Sequence, residues 1–199
     1  MLKSFYNMLQ PIYPLLAQQF VDDYGLENGT CIDIGTGPGF IGIDIAKITN
    51  MEIYFVDADE EQLKLAQSNF AAADCDNIAH FIKTDVHRLD FEDNLGDFIV
   101  SRGSIWFWAE PRVALREVYR VLKPGGTALI GGGLGRYVPA TMRKRLTDAN
   151  KKRLAVRGEK RPTLKEFQQM VLEADLPGSR VISEQPEIGR WVEIKKPGR

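Results

Sequence analysis

The sequence predicts an α/β fold: a mostly parallel sheet covered by helices on both faces, with at least one antiparallel strand near the carboxyl end. Three observations carry this. Short apolar runs of strand length alternate with segments of helical periodicity over the first 130 residues, the pattern of parallel strands joined by crossover helices. One strand-to-helix junction, the stretch CIDIGTGPGFIG from Cys31 to Gly42, compresses its turn into glycines. The chain then ends on two strand-like runs whose connection of roughly six residues is too short for a right-handed parallel crossover.

The elements follow in order. Residues 4–24 place Phe5, Met8, Leu9, Leu15, Leu16 and Phe20 at helical spacing, and Pro11 and Pro14 divide them into two short helices. After a loop at Gly25–Gly29, the first strand is Thr30–Ile34, followed by the glycine turn and a helix over Phe40–Ile48. The second strand is Glu52–Val56. Asp59 then caps a helix over Glu60–Ala73, with Gln62 completing a capping-box-like pair and Leu63, Ala66, Phe70 and Ala73 forming the apolar stripe. The third and fourth strands are Ala79–Lys83 and Phe98–Ser101. Pro111 starts a helix that runs to Leu122 and is stopped by Lys123-Pro124-Gly125-Gly126. The fifth strand is Thr127–Ile130. Helices follow at Thr141–Leu154 and Thr163–Ala174, and the last two strands are Arg180–Ser183 and Arg190–Ile194, with a turn at Pro186–Gly189.

Composition bounds the function classes. A chain of 199 residues with 44% hydrophobic residues suits one domain with a real core. No apolar run is long enough to span a bilayer, and the first residues lack the pattern of a secretory signal. Cys31 and Cys75 have no metal-ligand spacing, and no metal site is expected. A cytoplasmic location is the default expectation, without membrane insertion. The net charge of −1 hides an asymmetry: residues 1–100 hold 5 Lys/Arg and 17 Asp/Glu, the remainder 21 and 10. The densest basic stretch, Arg143 to Arg161, is read either as a track for an anionic partner or as the solvated face of a helix.

Two motifs overlap in the glycine turn. Gly37-x-Gly39-x-x-Gly42, with Asp57 downstream, matches a dinucleotide fingerprint. Asp33-x-Gly35-x-Gly37-x-Gly39 instead puts a carboxylate at the end of the first strand. There it would repel a pyrophosphate but suit an ammonium or a sulfonium. Four segments then carry a family resemblance: Asp33-Ile34-Gly35-Thr36-Gly37-Pro38-Gly39, Val56-Asp57, Thr84-Asp85-Val86, and ALREVYRVLKPGG from Ala114 to Gly126. In these the chain resembles the class I S-adenosylmethionine-dependent methyltransferases, most closely the small-molecule, quinone- and metabolite-modifying subgroup.

The resemblance implies a Rossmann-like three-layer sandwich with a seven-stranded sheet, one strand inserted antiparallel near the carboxyl end. It also implies a single domain over 1–199, in which residues 1–27 form a helical lid on a core from 28 onward. S-adenosylmethionine is the implied cofactor. Gly35, Thr36, Gly37 and Gly39 would pass beneath its methionine part, and Asp33 would orient the ammonium. Asp57, with Ala58 beside it, would accept the ribose hydroxyls, Asp85 and Val86 would meet the adenine, and the Ser101 carbonyl would face the amino-acid end. Arg102, Trp106, Trp108 and Tyr6 are the candidate acceptor-binding residues, at the carboxyl end of the sheet where ligands of open α/β folds bind.

The implied reaction is in-line displacement onto a small-molecule acceptor, with no catalytic residue named; His87 is the better placed of the two histidines for a base. The chain lacks an Asp/Asn-Pro-Pro-aromatic tetrapeptide after the fourth strand and any Pro-Cys pair, which disfavours nucleic-acid amino-group and cytosine C5 methylation. Rival readings are an RNA methyltransferase using the basic 143–161 segment, an NAD-dependent oxidoreductase, and a non-catalytic scaffold. The oligomeric state is left open.

Overall fold

Strand β1 (Thr30–Ile34) is buried along its whole length. Such a run has two apolar faces and needs cover on both. The computed structural model describes residues 8–183 and 189–198 and supplies that cover. Around β1 lie β2 (Glu52–Asp57), β3 (Ala79–Lys83), β4 (Gly96–Arg102), β5 (Leu122–Gly132), β6 (Ser179–Ser183) and β7 (Arg190–Lys195), in one seven-stranded sheet of order β3-β2-β1-β4-β5-β7-β6. β1 to β5 pair in parallel. β7 runs antiparallel to both its neighbours, β5 and β6, so the expected inverted strand is β7. Only Gly189 of the expected turn at Pro186–Gly189 belongs to the described residues.

The side-chain period of two sends alternate strand residues to opposite layers. Cys31, Ile53, Phe55, Phe98 and Trp191 join one apolar cluster with helices α1 (Tyr13–Tyr24) and α2 (Phe40–Ala46). Ile32, Ile34, Val56, Ile99, Ile130 and Val192 join the other, with α4 (Pro111–Val121) and α6 (Leu164–Ala174). Helix α3 (Glu60–Ala71) adds Leu63 to the first cluster, and α5 (Ala140–Arg157) adds Leu146.

Three elements differ from the sequence reading. Pro14 does not break the first helix: a 3-10 turn at Gln10–Ile12 runs straight into α1, where Pro14 occupies the first turn and needs no amide partner. The Asp59 side chain caps α3 by accepting the Glu61 N–H at 2.9 Å, while the reciprocal capping box lies at Thr163 and Glu166 of α6. β5 begins five residues earlier than read. Leu122 pairs with Gly96, the segment Lys123–Gly126 bulges, and pairing resumes at Thr127 opposite Phe98. The bulge is held by a 2.7 Å ion pair between Lys123 and Asp97. It is also held by backbone bonds to Lys196, with Gly125 N–H donating to its carbonyl at 2.9 Å.

Candidate functional site

The strand order reverses between β1 and β4, because the chain moves from β1 outward to β2 and β3 and then returns to start β4 on the other side. A crevice forms at the carboxyl ends of strands at such a switch point. The glycine turn after β1 sits there. Gly35 and Gly37 have φ of +64° and +54°, values that favour glycine. A Cβ on Gly35 would lie 2.4 Å from Ser104, and one on Gly42 would lie 2.5 Å from Phe55. Gly39 is pressed against Ala66 of α3, with 3.1 Å available to a Cβ. Gly37 differs: the nearest atom to its missing Cβ is Gln62 Oε1 at 3.7 Å. Three of these glycines are thus required by the protein's own packing, and Gly37 is the one with room above it.

Three carboxylates follow one another at the carboxyl ends of adjacent strands β1, β2 and β3, and two of them, Asp33 and Asp57, bond the glycine turn. Asp33 is buried in β1, at 1% exposure. Its Oδ2 accepts from Thr36 Oγ1 at 2.6 Å and from the Gly42 N–H at 3.2 Å. Burial pushes its pKa up to about 7, against the pull of those two bonds. Asp57 ends β2. Its Oδ2 accepts from the Gly37 N–H at 2.9 Å and its Oδ1 from the Asp59 N–H at 3.0 Å, so it joins the glycine turn to the start of α3. Ala58 beside it is exposed. Asp85 follows β3 in a tight turn in which Arg88 N–H donates to the Asp85 carbonyl at 3.0 Å. Its carboxylate accepts from the His87 N–H at 2.8 Å and from His87 Nδ1, which holds it below the usual carboxylate range. Val86 is half-buried against the second apolar cluster.

The loop after β4 closes the other side. Ser101 is fully buried, and its hydroxyl bonds Ser104 Oγ, which also reaches the Ile34 carbonyl at 3.4 Å. Arg102 lies over the Tyr13 ring at 5.0 Å and donates to Tyr13 Oη at 3.2 Å and to the Gly133 carbonyl at 3.0 Å. It therefore ties α1 to the end of β5. Trp106 packs against Phe167 of α6 at 5.4 Å, and Arg161 lies over the Trp106 and Phe107 rings. Trp108 packs on the second cluster, while Phe107 is exposed. Tyr6 lies outside the described residues.

The His87 Nε2 accepts from the Glu110 N–H at 3.1 Å. That fixes the ring as the Nδ1–H tautomer, with its proton toward Asp85. Both ring nitrogens are engaged, which leaves no lone pair for a base. Neither this link nor the Arg102–Tyr13 and Gly35–Ser104 contacts has a signal in local spacing, since each joins distant segments. Among the described residues, no group of three or more His, Cys, Asp or Glu side chains is arranged to hold a metal. No helix among the described residues is long and apolar enough to cross a membrane.

The basic 143–161 segment is α5 and the loop after it. Much of its charge is used internally: Arg143 donates to the Arg136 and Val138 carbonyls, and Arg153, Arg157 and Arg161 converge on Glu159. Lys144, Arg145, Lys151 and Lys152 are exposed along one side of the helix. A separate hollow of about 310 Å³, lined by Tyr24, Met51, Asp97 and the Pro124–Thr127 segment among others, lies at the amino ends of the strands, away from the three carboxylates.

A family model described as a methyltransferase domain matches residues 32–130. The 2-methyl-6-phytyl-1,4-hydroquinone methyltransferase 1, chloroplastic, of Oryza sativa subsp. japonica is 35% identical over 102 residues, which are 51% of this chain and 30% of that protein. The ubiquinone/menaquinone biosynthesis C-methyltransferase of Marinomonas sp. (strain MWYL1) is 25% identical over 122 residues, 60% of this chain and 49% of that protein. The chain therefore spans no more than about half the length of these curated relatives. A crystal structure from Methanococcus maripaludis, described as a candidate S-adenosyl-L-methionine-dependent methyltransferase, superposes with a TM-score of 0.81 at 32% identity, over 96% of this chain and 88% of that one. The dinucleotide reading of Gly37-x-Gly39-x-x-Gly42 gives way to that match: the chain belongs to the S-adenosylmethionine-dependent methyltransferases and takes S-adenosylmethionine as its cofactor.

Proposed function

We propose that the chain transfers a methyl group to a small-molecule acceptor by in-line displacement, releasing S-adenosylhomocysteine. The observation that carries this reading is the glycine turn held by two carboxylates from adjacent strands, Asp33 on Thr36 and Gly42 and Asp57 on Gly37, with Asp85 following the next strand of the sheet. The donor set suits the cofactor group by group. Asp33 presents a buried carboxylate whose two described bonds both fall on Oδ2, leaving Oδ1 for an ammonium. Asp57 has lone pairs beyond its two backbone bonds for a ribose diol. Asp85 and Val86 line the adenine side. Gly37 is the least crowded of the turn's glycines, a Cβ there meeting only Gln62 Oε1 at 3.7 Å.

The cofactor, when bound, supplies a methyl group already activated by its sulfonium. The residues of this chain then orient, align and exclude water. Trp106, Phe107 and Trp108 border the acceptor side, and a planar apolar acceptor of hydroquinone type suits these faces and the names of the curated relatives. His87, with both ring nitrogens engaged, holds structure rather than moving a proton.

Calorimetry with S-adenosylhomocysteine and with NAD tests the cofactor side. S-adenosylhomocysteine binds and NAD does not, and Asp57→Ala weakens binding by at least about tenfold, as loss of a charge-assisted hydrogen bond does. Undiminished binding by that variant would remove Asp57 from the site. Labelled S-adenosylmethionine, offered with hydroquinones, metabolite extract or RNA, tests the acceptor side; label entering RNA alone would overturn the small-molecule reading.

A further inference from the structure

The bridge through His87 joins the two halves of the crevice. On one side the imidazole Nδ1–H meets the Asp85 carboxylate, which also accepts the His87 backbone N–H at 2.8 Å. On the other side Nε2 accepts the backbone N–H of Glu110 at 3.1 Å. Glu110 is the residue before Pro111, at the N-cap of α4, and its own side chain makes no cap bond there. It also ends the segment that begins at Ser101 and carries Trp106, Phe107 and Trp108. The imidazole is half-buried, at 26% exposure, whereas Asp85 is 66% exposed. The ring is thus held between a carboxylate open to the crevice and an amide that sets where α4 begins.

We propose that His87 is a positioning residue that couples occupancy of the adenine side to the loop bordering the acceptor. The coupling rests on Asp85 lying in the cofactor site, as argued above. A ligand that fixes the Asp85 carboxylate fixes the direction of the Nδ1–H bond. The ring is rigid, so the position of Nε2 follows, and with it the Glu110 N–H and the end of the 101–110 loop. The rest of α4 does not need this link, because Glu117 and Arg120 hold the 89–91 segment separately. The imidazole is thus the described partner of the Glu110 N–H, while the Glu110 carbonyl is held from within α4 by the Ala114 N–H at 3.1 Å.

Two substitutions divide its two bonds. In His87→Asn the amide nitrogen falls near the place of Nδ1 and keeps a donor for Asp85, but nothing reaches Glu110. In His87→Gln the amide falls near the place of Nε2, where its oxygen accepts from Glu110, and the Asp85 bond is lost.

The experiment is amide hydrogen exchange on the full chain at pH 8, with and without saturating S-adenosylhomocysteine, alongside calorimetry with the same compound. In the parent chain, the Glu110 amide is protected and S-adenosylhomocysteine raises its protection at least fivefold. His87→Asn loses that protection at least tenfold while keeping affinity within about threefold of the parent. His87→Gln keeps the protection without the ligand, but binding no longer raises it. The Leu95 amide, bonded to the Val121 carbonyl at 2.8 Å, reports whether each variant stays folded. An equal ligand effect on Glu110 in the parent and both variants overturns the coupling, as does an unprotected Glu110 amide in the parent. Absence of S-adenosylhomocysteine binding by the parent overturns the site reading itself. In that case Glu110 protection without ligand still decides whether the bridge exists.

Discussion

Asp33 holds its proton well above the ordinary carboxylate range. Its carboxyl titrates near 7 in the folded chain instead of near 3.8, because burial costs the charged form more than Thr36 and Gly42 restore. Between those two values the folded chain holds a proton that the unfolded chain has released. Stability therefore falls as pH rises across that window, and levels above it. An ammonium placed against Oδ1 favours the ionised form, so affinity for S-adenosylhomocysteine rises with pH through the same window. Asp33→Asn separates the two effects. It keeps an oxygen for Thr36 and Gly42, so thermal melts of the unliganded variant lose most of the slope between pH 5 and 8. At pH 8 the variant melts no lower than the parent, while its affinity drops roughly 10- to 100-fold. A variant that binds as tightly as the parent at pH 8 would take Asp33 out of the ammonium role. The three acids could be picked out in the sequence because each lies within two residues of the end of a strand run, and a strand end is a local signal. The engagement of Arg102 with Tyr13 and Gly133 was not, since its partners lie 89 and 31 residues away.

At the scale of elements, helix α4 organises the crevice. Its apolar side, Leu115, Val118 and Val121, is fully buried, and its polar side grips the chain that leaves Asp85. Glu117 Oε1 accepts the Leu89 N–H at 2.9 Å, and Arg120 donates to the Leu89 and Phe91 carbonyls at 3.0 and 2.8 Å. The Arg120 guanidinium beside Glu117 holds the Glu117 carboxyl below its ordinary range, so that pair stabilises the fold above the ordinary carboxylate pKa and weakens in acid. Arg120→Ala leaves two carbonyls and a largely buried carboxylate short of their donor. It is expected to lower stability by about 2–4 kcal/mol, read as a shifted urea midpoint with an unchanged slope. A loss below about 0.5 kcal/mol would mean that water replaces the guanidinium. The helix itself was plain in the sequence, from Pro111 at its start and the apolar spacing after it. The early start of β5 was not. Lys123-Pro124-Gly125-Gly126 reads locally as a turn, and only the pairing of Leu122 with Gly96 and the bonds from Lys196 make it a bulge inside a strand.

For the whole molecule, the question is what closes the layer opposite α4 and α6. The amino-terminal segment was expected to act as a lid, yet α1 buries Tyr13, Leu16, Ala17 and Phe20. Phe20 meets Phe98 of β4 at 6.0 Å and Trp191 of β7 at 5.8 Å, the latter edge-on. One side chain thus joins the start of the chain, its central strand and its last strand. Tyr24, at the end of the same helix, adds a 3.0 Å bond to Glu193, which is 3% exposed in β7. A lid and a core layer differ in what unfolds with them. Phe20→Ala removes a fully buried ring and is expected to cost about 3–5 kcal/mol, lowering the melting temperature by roughly 6–20 °C for a domain of this size. If α1 is a core layer, amides in β4 and β7 lose protection together with those of α1, and melting stays a single transition. If α1 is a lid, only residues 8–24 exchange faster, the melting temperature holds, and S-adenosylhomocysteine binding is the property that changes. Hydrogen exchange across β4 and β7 in Phe20→Ala therefore separates the two, and the contacts of Phe20 with both strands place the expected outcome with the core layer.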